Sequence, residues 1–238
     1  MNTKPSVFTA DKREAYLSVL FRGWDEFRLH YSQVPAVEGL DRERLEAFLI
    51  GYHEGVTQQN LSTAIQPEQF LRTHLLDVLA LRASGFISSK DAFLDIGSGA
   101  GVPGLLFWSL FGGLWCLSDS ETSKAAHLES ETLRLGEIFQ RGTPPKVYSG
   151  RAENYLGSLG QSVTPVVRAV GSLSQIFELI RDCSTWNNLI VLKGPRFEEE
   201  VKELERLFGL ALTLTKEFRY KIDPNDPRER TIALFSRP

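Results

Sequence analysis

The chain is poor in the residues that build cross-links and metal centres. Its 238 residues include two cysteines, one methionine and four histidines. Cys116 and Cys183 are too few for a disulfide framework, fall in elements expected to be buried, and suit a reducing compartment. His30, His53, His74 and His127 show none of the short spacings that metal ligands use, so no metal is expected. No apolar run approaches the ~20 residues that cross a bilayer, and no membrane contact is expected. Met1 to Asp11 is polar without an apolar leader core, so no secretory signal and a cytoplasmic location are expected. A net charge of −3 leaves no global basic field, so any nucleic acid must be met by a local patch. Repeats and low-complexity segments are absent. A hydrophobic share of 42% is nevertheless enough for a real core in one large domain, or a domain with an appendage.

The chain is organised around Phe93-Leu-Asp-Ile-Gly-Ser-Gly-Ala-Gly-Val-Pro-Gly104. Phe93 to Ile96 reads as a short buried strand. Glycines at 97, 99 and 101 follow, and Pro103 opens a helical segment from Leu105 to Phe111. Glycine allows positive φ and lets backbone approach a ligand without a Cβ between them. A strand, a glycine turn and a helix N-terminus form a nucleotide-binding crevice. Gly99 to Gly104 also satisfies the weak dinucleotide pattern G-x-G-x-x-G. Leu114 to Asp119 reads as a second strand ending in a carboxylate. Asp119 lies roughly the 20 residues downstream expected of a ribose-binding acid. A ribose occurs in dinucleotides and in S-adenosylmethionine alike, so this acid does not choose between them.

Three amphipathic helices precede that strand. Leu17, Leu20, Trp24, Phe27 and Tyr31 form the stripe of the first, over Asp11 to Tyr31. A break at Pro35 and Gly39 leads to a second helix capped by Asp41. Gln58 to Thr63 reads as a loop. A third helix runs from Pro67 to Ser84 and closes at Gly85, with His74 on its apolar side as a core histidine. From Phe86 onward strands and helices alternate, as in a parallel sheet covered on both faces. Glu121 to Phe139 is read as a helix, Lys146 to Ser149 and Pro165 to Val170 as strands, and Ser174 to Arg181 as a helix. Asn188 to Lys193 is a further strand and Phe197 to Phe208 a charged helix. Ala211 to Ile222 and Thr231 to Ser236 then form two strands around so short a turn that they must be antiparallel. That ending favours the methyltransferase variant of the doubly wound fold over the dinucleotide one. The expected class is α/β, a Rossmann-like, mostly parallel sheet with an antiparallel last strand over residues 86–238, preceded by a helical extension over residues 1–85.

The wider string, acid-x-G-x-G-x-G with Asp95 closing the strand, looks like the first motif of S-adenosylmethionine-dependent methyltransferases. More specifically, the chain resembles the bacterial RsmG (GidB) family, which modifies guanine N7 in small-subunit (16S) ribosomal RNA. The resemblance runs from about Tyr52 onward. It rests on Asn60-Leu-Ser62, His74-Leu-Leu-Asp77, Leu94 to Gly104, Ser118-Asp-Ser120 with Lys124, and Arg151-Ala-Glu153. It continues through Arg168-Ala-Val-Gly-Ser-Leu173, Leu192-Lys-Gly194 and Arg228-Glu-Arg230. The chain differs where the family carries aromatic residues before the Asn-Leu segment (Gly55 and Gln59 here) and after Lys124 (His127 here). Thr73 and Val78 also replace a family arginine and serine.

The resemblance implies S-adenosyl-L-methionine as cofactor. Asp95, Gly97, Ser98, Gly99, Gly101 and Val102 would hold its methionine end and adenosyl moiety, Asp119 and Ser120 its ribose, and Ala152 and Glu153 its adenine side. Arg168 matches a family arginine at the cofactor site; read from the residues alone it could instead partner Asp95 or Asp119. Lys193 and Arg230 match family basic residues facing the RNA, so Arg168, Lys193 and Arg230 are the expected catalytic set. Arg219, Lys221, Arg228 and Arg230 form the local basic concentration. The expected partner is small-subunit ribosomal RNA or an assembling ribosomal particle. Two alternatives stay open: a methyltransferase of another RNA or a small molecule, and a non-catalytic cofactor-binding assembly factor.

Overall fold

Alternating side chains in the central strands decide the architecture. In a computed structural model that describes residues 8–36, 41–140 and 142–238, successive strand residues enter two different cores. Strands β1 (Ala92–Ile96), β2 (Leu114–Asp119), β3 (Lys146–Ser149), β4 (Thr164–Arg168), β5 (Asn188–Lys193), β6 (Thr213–Tyr220) and β7 (Arg230–Ser236) form one sheet in the order β3-β2-β1-β4-β5-β7-β6. Phe93, Val166, Ile190, Leu192 and Ile232 face one side, while Leu94, Val167, Leu189, Val191 and Ala233 face the other. This period of two obliges both faces to be covered. β1 to β5 pair in parallel, and β7 runs antiparallel to β5 and β6. The Rossmann-like methyltransferase fold with an N-terminal helical extension is therefore present.

The first face is covered by α1 (Ala10–His30), α2 (Arg42–Gln59), α3 (Pro67–Phe70), α4 (Leu76–Ala83), α5 (Gly104–Phe111) and α6 (Thr122–Phe139). Leu17, Leu20, Trp24, Leu45 and Leu49 of the extension share one continuous core with Phe93 and Leu106. The second face is covered by α7 (Ala152–Leu156), α8 (Leu173–Ile180) and α9 (Phe197–Phe208), through Leu156, Ile176, Phe177 and Leu204. The Asp41 carboxylate caps α2 by accepting the Arg44 N–H at 3.2 Å.

Several local expectations are corrected. The third helix is not regular: a π-helical turn, Leu71–Leu75, joins α3 to α4. Leu71 in that turn lies against Gly23 of α1, where a Cβ would come within 2.2 Å of it. α2 continues through Gln59 to a left-handed Asn60, so the loop begins later than Gln58. β4 stops at Arg168 because Ala169 turns to φ +57°. β6 is shorter than Ala211 to Ile222. Cys183 is half-buried in the turn after α8, whereas Cys116 is buried in β2. The break expected at Gly39 lies outside the described residues. Gly55 and His127, two departures from the family pattern, lie against each other: a Cβ on Gly55 would meet the His127 ring at 2.4 Å.

Candidate functional site

The carboxyl ends of β1, β2 and β4 converge, and the loops leaving them line a cleft. It has a volume of about 340 Å³, within the range of small-ligand sites. Gly97, Asp119, Ser120, Ala152 and Glu153 line it, as expected. The other loop residues take different places. Ser98 is buried beneath the loop, its hydroxyl donating to the Asp95 carbonyl at 3.1 Å. Gly101 packs on Leu105 and Phe48. Val102 is a core side chain. Gly99 donates its N–H to Asp119 Oδ2 at 2.9 Å. None of Asp95, Ser98, Gly99, Gly101 and Val102 is on the cleft wall among the described residues. Gly97, Gly99 and Gly101 all have positive φ, at +74°, +54° and +88°, so the turn requires glycine at each.

Asp119 does two jobs in this arrangement. Its second oxygen accepts the Glu121 N–H at 3.0 Å, so the carboxylate staples the glycine loop to the start of α6. Each oxygen retains a further lone pair, and the residue lines the cleft. Asp95 is fully buried. Its Oδ2 accepts the Gly104 N–H at 2.8 Å, while its Oδ1 has no partner among the described residues. Burial pushes its pKa from 3.8 up to about 6, against the lowering effect of the Gly104 N–H. Val170, Gln175, Ile176 and Leu179 form the wall on the β4 side. Sequence reading missed them because loop and helix residues after β4 carry no spacing signal.

Arg168 lies beside this cleft, one residue beyond Val167, the register partner of Ile96 in β1. Its side chain pairs with neither Asp95 nor Asp119. It turns toward the π-helical turn and donates to Asp77 Oδ2 at 2.9 Å, to His74 Nδ1 at 2.9 Å, and to the Thr73 carbonyl. The Asp77 side chain is 6% exposed. Its other oxygen accepts from the Tyr220 hydroxyl at 2.7 Å and from Arg230. Burial opposes the charge on Arg230, but the Asp77 carboxylate outweighs it and its pKa rises. Burial, reinforced by Asp77, also raises the Tyr220 pKa. His74 Nε2 lies 3.1 Å from Ser62 Oγ. Burial, then the Arg168 charge, lowers the His74 pKa to about 3. His74 is thus both buried and part of the site, a combination its apolar stripe did not disclose.

Of the other expected cations, Lys193, Arg219 and Arg228 are also paired, whereas Lys221 is in no ion pair among the described residues. Lys193 is not a free cation facing solvent: it is 8% exposed, lies 2.8 Å from Glu200 Oε2, and donates to the Gly171 carbonyl. Glu200 in turn accepts the Leu173 N–H at 2.7 Å, so Lys193 ties the loop after β4 to α9. Arg219 meets Glu198 and Glu217, and Arg228 meets Asp226. The expected basic patch is therefore largely neutralised. Among the described residues no cluster of His, Cys, Asp and Glu could hold a metal, and no helix is long and apolar enough to cross a membrane.

Four segments far apart in sequence thus meet in one hydrogen-bonded cluster: Ser62, His74 with Asp77, Arg168, and Arg230. Comparison with known proteins finds a family model described as GidB, rRNA small subunit methyltransferase G, matching residues 41–223. The chain is 34% identical over 158 residues to "Ribosomal RNA small subunit methyltransferase G" of Alkalilimnicola ehrlichii, covering 65% of this chain and 67% of that protein. The protein of the same name from Mesoplasma florum is 29% identical over 192 residues, 79% of this chain and 77% of that one. Among solved structures, the METTL16 MTase domain aligns with a TM-score of 0.54 at 15% identity, over 98% of this chain and 95% of that one, a likeness of fold.

Proposed function

The chain belongs to the GidB family, and from that premise we propose that it transfers a methyl group from S-adenosyl-L-methionine to guanine N7 of small-subunit (16S) ribosomal RNA, in the cytoplasm, on the RNA or an assembling particle. The observation that carries this reading is the cluster around Asp77. The family's scattered motif residues Ser62, His74, Asp77, Arg168 and Arg230 are joined there, beside a nucleoside-sized cleft. The cleft fits the cofactor. Asp119 lines it with a free lone pair on each carboxylate oxygen, and the Gly97 backbone reaches its wall with no Cβ between. Asp119 and Ser120 would hold the ribose, Ala152 and Glu153 the adenine side, and Gly97 the methionine end.

When bound, the cofactor supplies an electrophilic methyl carbon on a sulfonium. Guanine N7 presents a lone pair at neutral pH, so no proton is removed before attack. A general base is unnecessary. The residues of the chain must orient the acceptor, hold it against the methyl carbon and exclude water, which can contribute roughly 7–11 kcal/mol. The acceptor base must be unpaired or extruded to reach the cleft. Arg168 is the group that meets it, and Arg230 and Lys193 hold the surrounding framework rather than touch phosphate. The test pairs calorimetry with S-adenosylhomocysteine and nucleoside mass mapping of ribosomal RNA from cells with and without the chain. Binding is expected, with one methylguanosine lost in its absence. An unchanged nucleoside map would sink the proposal.

A further inference from the structure

A guanidinium carries five N–H bonds and no acceptor. In Arg168, three of them are spent on Thr73, Asp77 and His74. The Nε–H and one Nη2–H have no partner among the described residues. The side chain is 16% exposed and sits at the carboxyl edge of the sheet, next to the strand that leads into the glycine loop. Because arginine can only donate, His74 Nδ1 must be an acceptor. The ring proton of a neutral His74 then sits on Nε2 and is donated to Ser62 Oγ, which also accepts the Ala64 N–H at 3.1 Å. The Tyr52 hydroxyl donates to the Ala64 carbonyl at 3.0 Å and closes the far side of this chain of bonds. Arg168 thus fixes the tautomer, and the Ser62 contact on the opposite ring nitrogen holds the ring's orientation.

We infer that His74 is a positioning residue that fixes Arg168 so that its two unspent N–H bonds take the carbonyl oxygen beside the attacked purine nitrogen. This rests on the methyl-transfer reading and deepens it into a basis for specificity. Guanine has an acceptor oxygen next to N7, whereas adenine has an amino donor there. A site that offers only donors at that point accepts the first base and repels the second. Arg168 is the group that reads the base, and His74 acts through it.

The test uses the full chain with His74→Asn and His74→Leu. Asn places a carbonyl oxygen where Nδ1 stood; Leu fills similar space with no acceptor. Calorimetry with S-adenosylhomocysteine should give the same affinity for wild type and both variants, which also reports folding. On guanine-containing RNA, His74→Leu should lose about tenfold or more in kcat, and His74→Asn should stay within about threefold of wild type. The same RNA carrying 2-aminopurine at the modified position keeps N7 and lacks the oxygen. On it, wild type should fall to the level of His74→Leu, and His74→Leu should lose little more. Equal losses for His74→Leu on both RNAs, or an Asn variant as poor as Leu, would overturn the inference. A wild-type chain that methylates neither RNA ends the methyl-transfer reading instead. In that event nitrogen NMR of the histidines still decides the bond polarity: the Nε2–H tautomer of His74 is expected, and an Nδ1–H tautomer overturns the assignment.

Discussion

Replacing Asp77 by Asn changes one atom and leaves two guanidinium groups and a phenol around a neutral amide. The carboxylate is buried and holds Arg168, Arg230 and Tyr220 at once. Hydrogen bonds to charged groups contribute about 1.5–3 kcal/mol each, and the Tyr220 and Arg168 bonds lie where water screens little. The Arg230 side chain is 34% exposed, so its share is smaller. Asn also turns an amide donor toward donors, which no rotation fully cures. The sum comes to about 3–5 kcal/mol, in line with removing one partner from a buried pair. Against a typical total of roughly 5–15 kcal/mol, that is a large fraction. Urea unfolding followed by circular dichroism should show the midpoint falling by more than about 1 M at unchanged slope. Pairing Asp77→Leu with Arg168→Met should recover at least about 1 kcal/mol over the sum of the single changes. A loss below about 1 kcal/mol for Asp77→Asn would mean that the cluster behaves as a surface ion pair, and the reasoning would fail.

Asp95 supplies a pH test. Its folded pKa of about 6 lies above its ordinary 3.8, so the native state binds the proton more tightly than the unfolded chain. Its contribution is then fully present below about pH 4 and lost as pH rises through 6, by up to about 3 kcal/mol. Asp95→Asn lacks this dependence, so its stability relative to wild type should climb between pH 4.5 and 7.5; parallel curves would refute the burial argument. Asp119→Ala should weaken S-adenosylhomocysteine by about 1–3 kcal/mol in calorimetry, and unchanged affinity would leave Asp119 as a loop staple only. Lys193→Met should leave the salt dependence of RNA binding unaltered, because the ammonium is already paired with Glu200. A slope smaller by about one unit would show instead that Lys193 reaches a phosphate.

How much could be read from residues alone depended on how local the cause was. β2, β5 and α9 were legible to the residue, because apolar runs or stripes are bounded there by glycine, proline or charge. The glycine turn was legible because three positive φ values leave few other residues possible. The π-helical turn was not, since it involves Leu71 lying against Gly23 on another helix. Lys193 and Arg230 read as open cations because their partners are set by tertiary placement. Glu200 is brought back by α9, and Asp77 lies in a helix before the sheet begins. Gly55 and His127 looked like two unrelated departures, and only packing makes them one local exchange of bulk.

Asp77 also imposes an order in time on a growing chain. Tyr220 and Arg230 follow it by 143 and 153 residues. At translation speeds of about 5–20 residues per second, that gap is roughly 7–30 s. Throughout it the carboxylate lacks the hairpin that shields it, and Arg168 is the one partner that can reach it before β6 and β7 are made. Stalled nascent chains ending before β6 should accordingly remain protease-sensitive around α4, with protection arriving only once β7 clears the exit tunnel. On the function proposed above, a protein that modifies ribosomes could not finish its own site until one of them had made both β6 and β7.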